Sequence, residues 1–171
     1  MRENENERLA HLAALAANGD EDSFVALCDA MKNDLFRAAK GILGDDDRAL
    51  EAVSESVFRA YNGIKRLREP KYAATWFTRI LINVANDIYK RQKHETSLDA
   101  AQNIGLIDAH SKMDFEQMIR SLPPELREIV SLKYYSEFTH EEISRILKLP
   151  IGTVKSRLSR ALKLLRLEVE G

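Results

Sequence analysis

The chain has 171 residues, 44% of them hydrophobic and 31% charged, with a formal net charge of -1 and a single cysteine. That length holds one medium domain or two small ones. One cysteine excludes an intramolecular disulfide framework and a multi-cysteine zinc site, the 4 histidines show no ligand spacing, and no apolar run reaches the roughly 18 residues of a membrane span. The polar opening "MRENENE" is unlike a signal peptide, and a reduced, cytoplasmic setting fits the composition. The near-neutral total conceals segregation: residues 1–62 carry a net charge of -6 and residues 63–94 one of +6.

Helical periodicity runs almost throughout, with no convincing strand alternation, so the chain reads as all-α. "ERLAHLAALAANG" is a short first helix closed by Gly19. Asp20 or Asp22 caps the second, "SFVALCDAMKNDLFRAAKGIL", which Gly44 ends. Within it Cys28 reads as a small hydrophobe. Asp45 to Asp47 place negative charge at the start of a third helix, where it suits the dipole. Its apolar residues Ala49, Ala52, Val53, Val57, Ala60, Tyr61 and Ile64 form one stripe.

A break at "RLREPKY" precedes a fourth helix over residues 73–94. Trp76, Phe77, Ile80, Leu81, Val84 and Ile88 make its inner face, while Thr75, Arg79, Asn83, Asn86, Lys90 and Lys93 make an opposite stripe of cations and amides. Periodicity then lapses, and residues 95–112 read as a flexible linker of at most about 60 Å when extended. Leu98, Ile104, Leu106 and Ile107 within it are candidates for docking elsewhere.

The remainder reads as four helices over 113–121, 124–135, 141–147 and 151–168. Pro124 suits a first helical turn, and Thr139 with Glu142 makes a capping box. The last two, joined by "KLP", have helix-turn-helix dimensions. In the second of the pair Val154, Leu158, Ala161, Leu162 and Leu165 form the apolar side, and Lys155, Ser156, Ser159, Arg160 and Lys163 the opposite one. Such donors on one helix face suit base edges in a major groove. Arg157 lies off centre, toward phosphate, and Gly152 and Thr153 offer backbone amides at the helix start. An arbitrary basic amphipathic helix is an ordinary solvated face. The capped preceding helix, the short turn and the lack of acids over residues 151–167 favour DNA instead.

With those residues in view, "LPPELREIVSLKYYSEFTHEEISRILKLPIGTVKSRLSRALKLLR" resembles region 4 of bacterial sigma factors, and the front half through "TWFTRILINVANDIYKRQ" resembles region 2. The layout of two modules is similar to that of the extracytoplasmic-function (group 4) sigma factors of the sigma-70 family. The resemblance implies a region 2 helical bundle over residues 1–94, the linker over 95–112 and a region 4 helix-turn-helix domain over 113–171. It implies three sites. Glu51, Val53, Ser54, Glu55 and Val57 would meet the beta-prime clamp of core RNA polymerase. Arg68, Lys71, Tyr72, Arg79, Asn83, Asn86 and Lys90 would capture the melted minus-10 strand. Thr153, Lys155, Ser156, Arg157, Ser159, Arg160 and Lys163 would read the minus-35 duplex.

Ser54 stands where that family usually has Gln, Glu51 where it has Asp, and Lys155 where Arg is also common; a lysine lacks the bidentate fork. The implied partners are core RNA polymerase (beta-prime clamp and beta flap), promoter DNA and an anti-sigma factor, with no membrane insertion, no cofactor and no enzymatic activity. The rival readings are a polymerase-independent helix-turn-helix regulator and an adaptor that binds only proteins.

Overall fold

The computed structural model describes residues 2–100 and 115–170. All elements among them are helices: α1 (Arg2–Ala17), α2 (Glu21–Leu43), α3 (Asp46–Gly63), α4 (Ala73–Ala100), α5 (Phe115–Ser121), α6 (Pro124–Val130), α7 (His140–Leu147) and α8 (Ile151–Glu170). Two 3₁₀ turns, Ile64–Arg66 and Pro70–Tyr72, carry the chain from α3 to α4, and a wide turn over Ser131–Tyr135 prolongs α6.

The breakers stand where the sequence places them. Gly19 (φ 100°) follows α1, and Gly44 (φ 67°) closes α2 by donating its N–H to the Lys40 carbonyl at 2.7 Å. Both take the left-handed conformation, which costs glycine little. Asp45 caps α3 by accepting the Arg48 N–H at 2.9 Å. Asp20 sits at the N-cap of α2, yet its carboxylate takes the Ser23 hydroxyl instead of a backbone amide. The capping box on α7 is complete: Thr139 Oγ1 accepts the Glu142 N–H at 3.2 Å, and Glu142 Oε2 accepts the Thr139 N–H at 2.8 Å.

Around α2, helices α1, α3 and α4 form the N-terminal bundle. Leu27, Leu35 and Ile42 of α2 are fully buried with Ala49 and Ala52 of α3 and Phe77 and Leu81 of α4. Small residues on α3 let it lie close to α2; burying each large side chain contributes about 1.5–3 kcal/mol. The C-terminal unit packs α8 against α5, α6 and α7 around Leu126, Ile129, Ile143, Val154 and Ala161. The two units touch: α2 meets α5, α6 and the Ser131–Tyr135 turn, and α4 meets α7.

Three local expectations need correction. Helix α4 runs to Ala100, six residues past its predicted end at His94, because nothing over 95–100 breaks a helix and Thr96 satisfies the Gln92 carbonyl at 2.9 Å. Residues 101–112, with Ile104, Leu106 and Ile107, lie outside the described residues, as do residues 113 and 114 of the predicted fifth helix. Leu162, placed on the buried side of the last helix, is 42% exposed, and Tyr61, placed in the α3 stripe, is 49% exposed. Tyr61 is held at the surface by an edge contact to Phe24 and a 3.0 Å hydrogen bond to Glu21.

Candidate nucleic-acid and polymerase interfaces

On α8 the buried row Val154, Leu158, Ala161 and Leu165 turns Lys155, Ser156, Ser159, Arg160 and Lys163 outward, all exposed. Thr153 and Arg157 are half-buried. Lys148, at φ 53°, ends α7 and makes the turn tight, while Ser144 Oγ donates to the Leu149 carbonyl at 2.5 Å and fixes the approach to α8. Ser156 Oγ donates to the Thr153 carbonyl at 3.0 Å, so its hydroxyl must swing away to reach a base. Leu162 lies beside the cations and completes a shallow groove with His140, Ser159 and Arg166. An exposed leucine on this face offers apolar contact as well as donors.

Along the 3₁₀ turns and α4, Arg68, Lys71, Asn83 and Lys90 are exposed, while Arg79 and Asn86 are half-buried. Tyr72 is 38% exposed, with Lys71 Nζ 4.9 Å and the Arg145 guanidinium 5.1 Å from its ring centre. Lys71 pairs with Glu69 at 3.1 Å, and that hydrogen bond chiefly, then the Glu69 charge, pushes the amine's pKa up. Trp76, an inner-face residue by its spacing, packs half-buried against Phe77 with ring centres 6.1 Å apart. A second buried row on α4, Thr78, Ile82 and Ala85, shows that the helix is enclosed on more than its predicted inner face.

Asn86 is engaged by the other unit. Its Nδ2 donates to Glu128 Oε2 at 3.0 Å. Burial raises the Glu128 pKa; the Asn86 hydrogen bond and the Arg157 charge oppose the rise, Glu125 adds to it, and Arg127 opposes it weakly. Next to this pair Arg127, 1% exposed, lies 3.7 Å over the Tyr89 ring, donates from Nη1 to the Arg120 carbonyl at 3.1 Å and leaves Nε without a partner. Neither Arg127, Glu128 nor Arg145 was singled out in the sequence, where each reads as a solvated charge on an amphipathic helix.

On α3, Glu51 and Ser54 are exposed and Glu55 is half-buried. Val53 and Val57 are half-buried against the core, so each offers only an edge to a partner. Glu55 pairs with Arg59 at 2.7 Å and Glu51 with Arg91 of α4 at 3.2 Å. These exposed pairs contribute little stability, about 0–1 kcal/mol each, but they frame an open groove between α3 and α4 floored by Val84 and Ile88. Sequence reasoning missed the exposed apolar residues Leu50 and Phe58, at 55% and 64% exposure. They stand four residues either side of Ser54, a spacing that would have revealed a second apolar row.

No group of three or more metal-ligating side chains occurs among the described residues, and no helix there is long and apolar enough to cross a membrane.

Comparison with known proteins assigns both units. The family model Sigma-70 region 2 matches residues 27–95, and that of Sigma-70, region 4 matches residues 112–165. The RNA polymerase sigma factor SigV of Bacillus subtilis is 31% identical over 142 residues, 81% of this chain and 86% of the relative. The ECF RNA polymerase sigma factor SigW of the same organism is 30% identical over 167 residues, covering 86% of this chain and 89% of the relative. Among solved structures, CnrH in complex with the cytosolic domain of CnrY shares the fold at TM-score 0.77 and 21% identity, over 95% of this chain and 97% of that one. The sigma factor RpoE in complex with the anti-sigma factor NepR from Bartonella quintana does so at TM-score 0.62 and 23% identity, over 80% and 89%. With a bundle matching region 2, a helix-turn-helix matching region 4 and relatives aligned across both, the chain belongs to the extracytoplasmic-function sigma factors of the sigma-70 family.

Proposed function

We propose that this alternative sigma factor, which binds core RNA polymerase and directs promoter-specific initiation, divides that work among three surfaces. Glu51, Ser54 and Glu55, with the edges of Val53 and Val57, dock on the beta-prime clamp. Arg68, Lys71, Tyr72, Arg79, Asn83, Asn86 and Lys90 hold the melted minus-10 strand. Lys155, Ser156, Ser159 and Arg160 read the minus-35 duplex in its major groove, with Thr153, Arg157 and Lys163 on phosphate. Helices α1 to α4 form the first module and α5 to α8 the second, which also meets the beta flap.

The observation that carries this reading is the separation of the faces. An exposed basic and hydroxyl row lies on α8, and a cationic, amide-rich stripe lies on α4 with Tyr72 in the turn just before it. Single strands want positive charge and a ring to stack on, while duplex reading wants a protruding helix. Each module alone makes few contacts, so affinity for promoters comes from holding both on one polymerase. Sigma factors are initiation factors rather than enzymes; this one works in the cytoplasm and is held inactive by an anti-sigma factor, as CnrH and RpoE are seen in complexes with CnrY and NepR.

Run-off transcription with purified core polymerase, this protein and a promoter library tests the reading. Specific start sites that depend on the protein are the expected result; none, with palindromic binding by a free dimer, would establish an independent regulator instead.

A further inference from the structure

Helix α1 takes no part in the three surfaces proposed above, and it precedes the residues that match region 2. Its chief neighbour after α2 is nevertheless the Pro70–Tyr72 turn, and it meets the Ile64–Arg66 turn as well. Leu9, Ala13 and Ala16 form its buried row, at the spacing of one helix face. The two ends of that row stand by the two ends of the crossing from α3 to α4. Leu9 shares the wall of a cavity with Ala74, and Ala16 that of another with Ile64 and Lys65. Helix α1 thus lies along the whole of the segment that carries Arg68, Lys71 and Tyr72.

The crossing has little to hold it from within. Ile64 and Ala73 at its ends are buried, but between them Leu67 and Pro70 are half-buried and the other residues exposed. Each 3₁₀ turn is closed by a backbone hydrogen bond of 3.0 Å, Leu67 N–H to the Ile64 carbonyl and Tyr72 N–H to the Glu69 carbonyl, and neither turn has a side-chain cap. Turns this short do not persist on their own hydrogen bonds. Their shape is set by the surface on which they rest, and α1 supplies more of that surface than α3 or α4 does.

We infer that α1 is a positioning element for minus-10 recognition, Leu9 and its row holding the crossing where Arg68, Lys71 and Tyr72 meet the melted strand. The inference rests on the assignment of those three residues to the strand. No residue of α1 has to touch DNA for this. A side chain that stacks or donates must be held within about 0.5 Å of its productive place, so a small sag of the crossing is enough to loosen it. Base preferences at minus-10 are therefore a joint property of the exposed side chains and of the row beneath them. Substitutions in α1 alter promoter choice without altering a DNA contact.

Holoenzyme and a promoter library randomised in both elements test this. Leu9→Ala empties part of the buried row and leaves every proposed DNA and polymerase contact in place. At saturating protein, base preferences in the minus-10 block should weaken at least about three-fold, at the positions that Tyr72→Ala or Arg68→Ala also weakens, while those in the minus-35 block change less than about 1.5-fold. Leu9→Met, of similar volume, should restore the preferences. Ile42→Ala, which opens a space near the other end of α2, should lower the urea midpoint as Leu9→Ala does and leave the minus-10 preferences alone. Should Leu9→Ala not fold, Leu9→Val carries the same test with a smaller loss in the same direction.

Unchanged minus-10 preferences in the Leu9 variant, with the Tyr72→Ala or Arg68→Ala effect present, overturn the positioning role and leave the strand assignment intact. Equal weakening of both blocks, or the same minus-10 loss in Ile42→Ala, overturns the positioning role by making the effect one of general stability. No effect of Tyr72→Ala, Arg68→Ala or Lys71→Ala overturns the strand assignment and the positioning role with it.

Discussion

The Arg127 guanidinium lies 3.7 Å from the centre of the Tyr89 ring, with the arginine 1% exposed. The ring face is its chief compensation for lost water, since among the described residues the Arg120 carbonyl accepts from Nη1 and Nε has no partner. A desolvated contact of this kind contributes about 2 kcal/mol. Tyr89→Leu should therefore destabilise the protein by about 1–2 kcal/mol in urea unfolding. Arg127→Met, which replaces a buried charge with an apolar side chain of similar length, should cost less than Tyr89→Leu. The double variant should lose less than the sum of the two, and strict additivity would mean that the ring does not hold the cation.

Glu128 gives the closed state, in which it meets Asn86 across the two units, a pH dependence of fixed sign. Burial holds its carboxyl pKa above the ordinary glutamate range, against the pull of Asn86, Arg157 and Arg127 and with a push from Glu125. A carboxyl whose pKa is raised in the closed state binds a proton more tightly there than when rehydrated. Closing is favoured as pH falls through the raised value toward the ordinary glutamate value of about 4.3, and disfavoured as pH rises through it. Energy transfer between dyes on α2 and α6 should accordingly rise on acidification from neutral pH. Glu128→Gln should remove that slope, and a slope unchanged by the substitution would assign it to another group.

Arg160 tests the proposed duplex-reading row. It is exposed on α8 and has no assigned role in the fold. Arg160→Ala should lower the preference for the cognate minus-35 sequence by about 1–3 kcal/mol. Binding to core polymerase should stay unchanged in a pull-down titration. Equal loss of both would show that α8 does not work separately from the clamp-binding surface.

Cys28 should be a slow thiol. Burial first, and the Asp29 charge second, push its pKa up to about 11, so little thiolate exists near neutral pH. Reaction with a disulfide reagent at pH 8 should lag well behind that of the urea-unfolded protein; equal rates in the two states would show that the thiol is not shielded.

Much of the fold was legible because its punctuation is local. Gly19, Gly44 and the Thr139–Glu142 box each fix a helix end through groups within a few residues, so those ends stand where spacing placed them. The exposed row on α8 followed from the same logic, since Val154, Leu158, Ala161 and Leu165 leave it only one side. What spacing misses is contact at a distance. Leu162 reads as core because it stands one turn after Leu158, yet among the described residues no neighbouring helix reaches far enough round α8 to bury it. Arg127 reads as a solvated charge, and only the arrival of Tyr89 makes it a buried one. Asn86 reads as an open amide for the same reason: its partner stands 42 residues away in sequence.

That separation in sequence has a consequence for the newly made protein. The contacts that join the two units pair residues 42, 76 and 102 apart. Helices α1 to α4 pack on one another and leave the ribosome first, and domains generally fold in that order. Asn86 and the Gly44 carbonyl thus face water in each new chain before Glu128 and Arg120 have been translated to engage them.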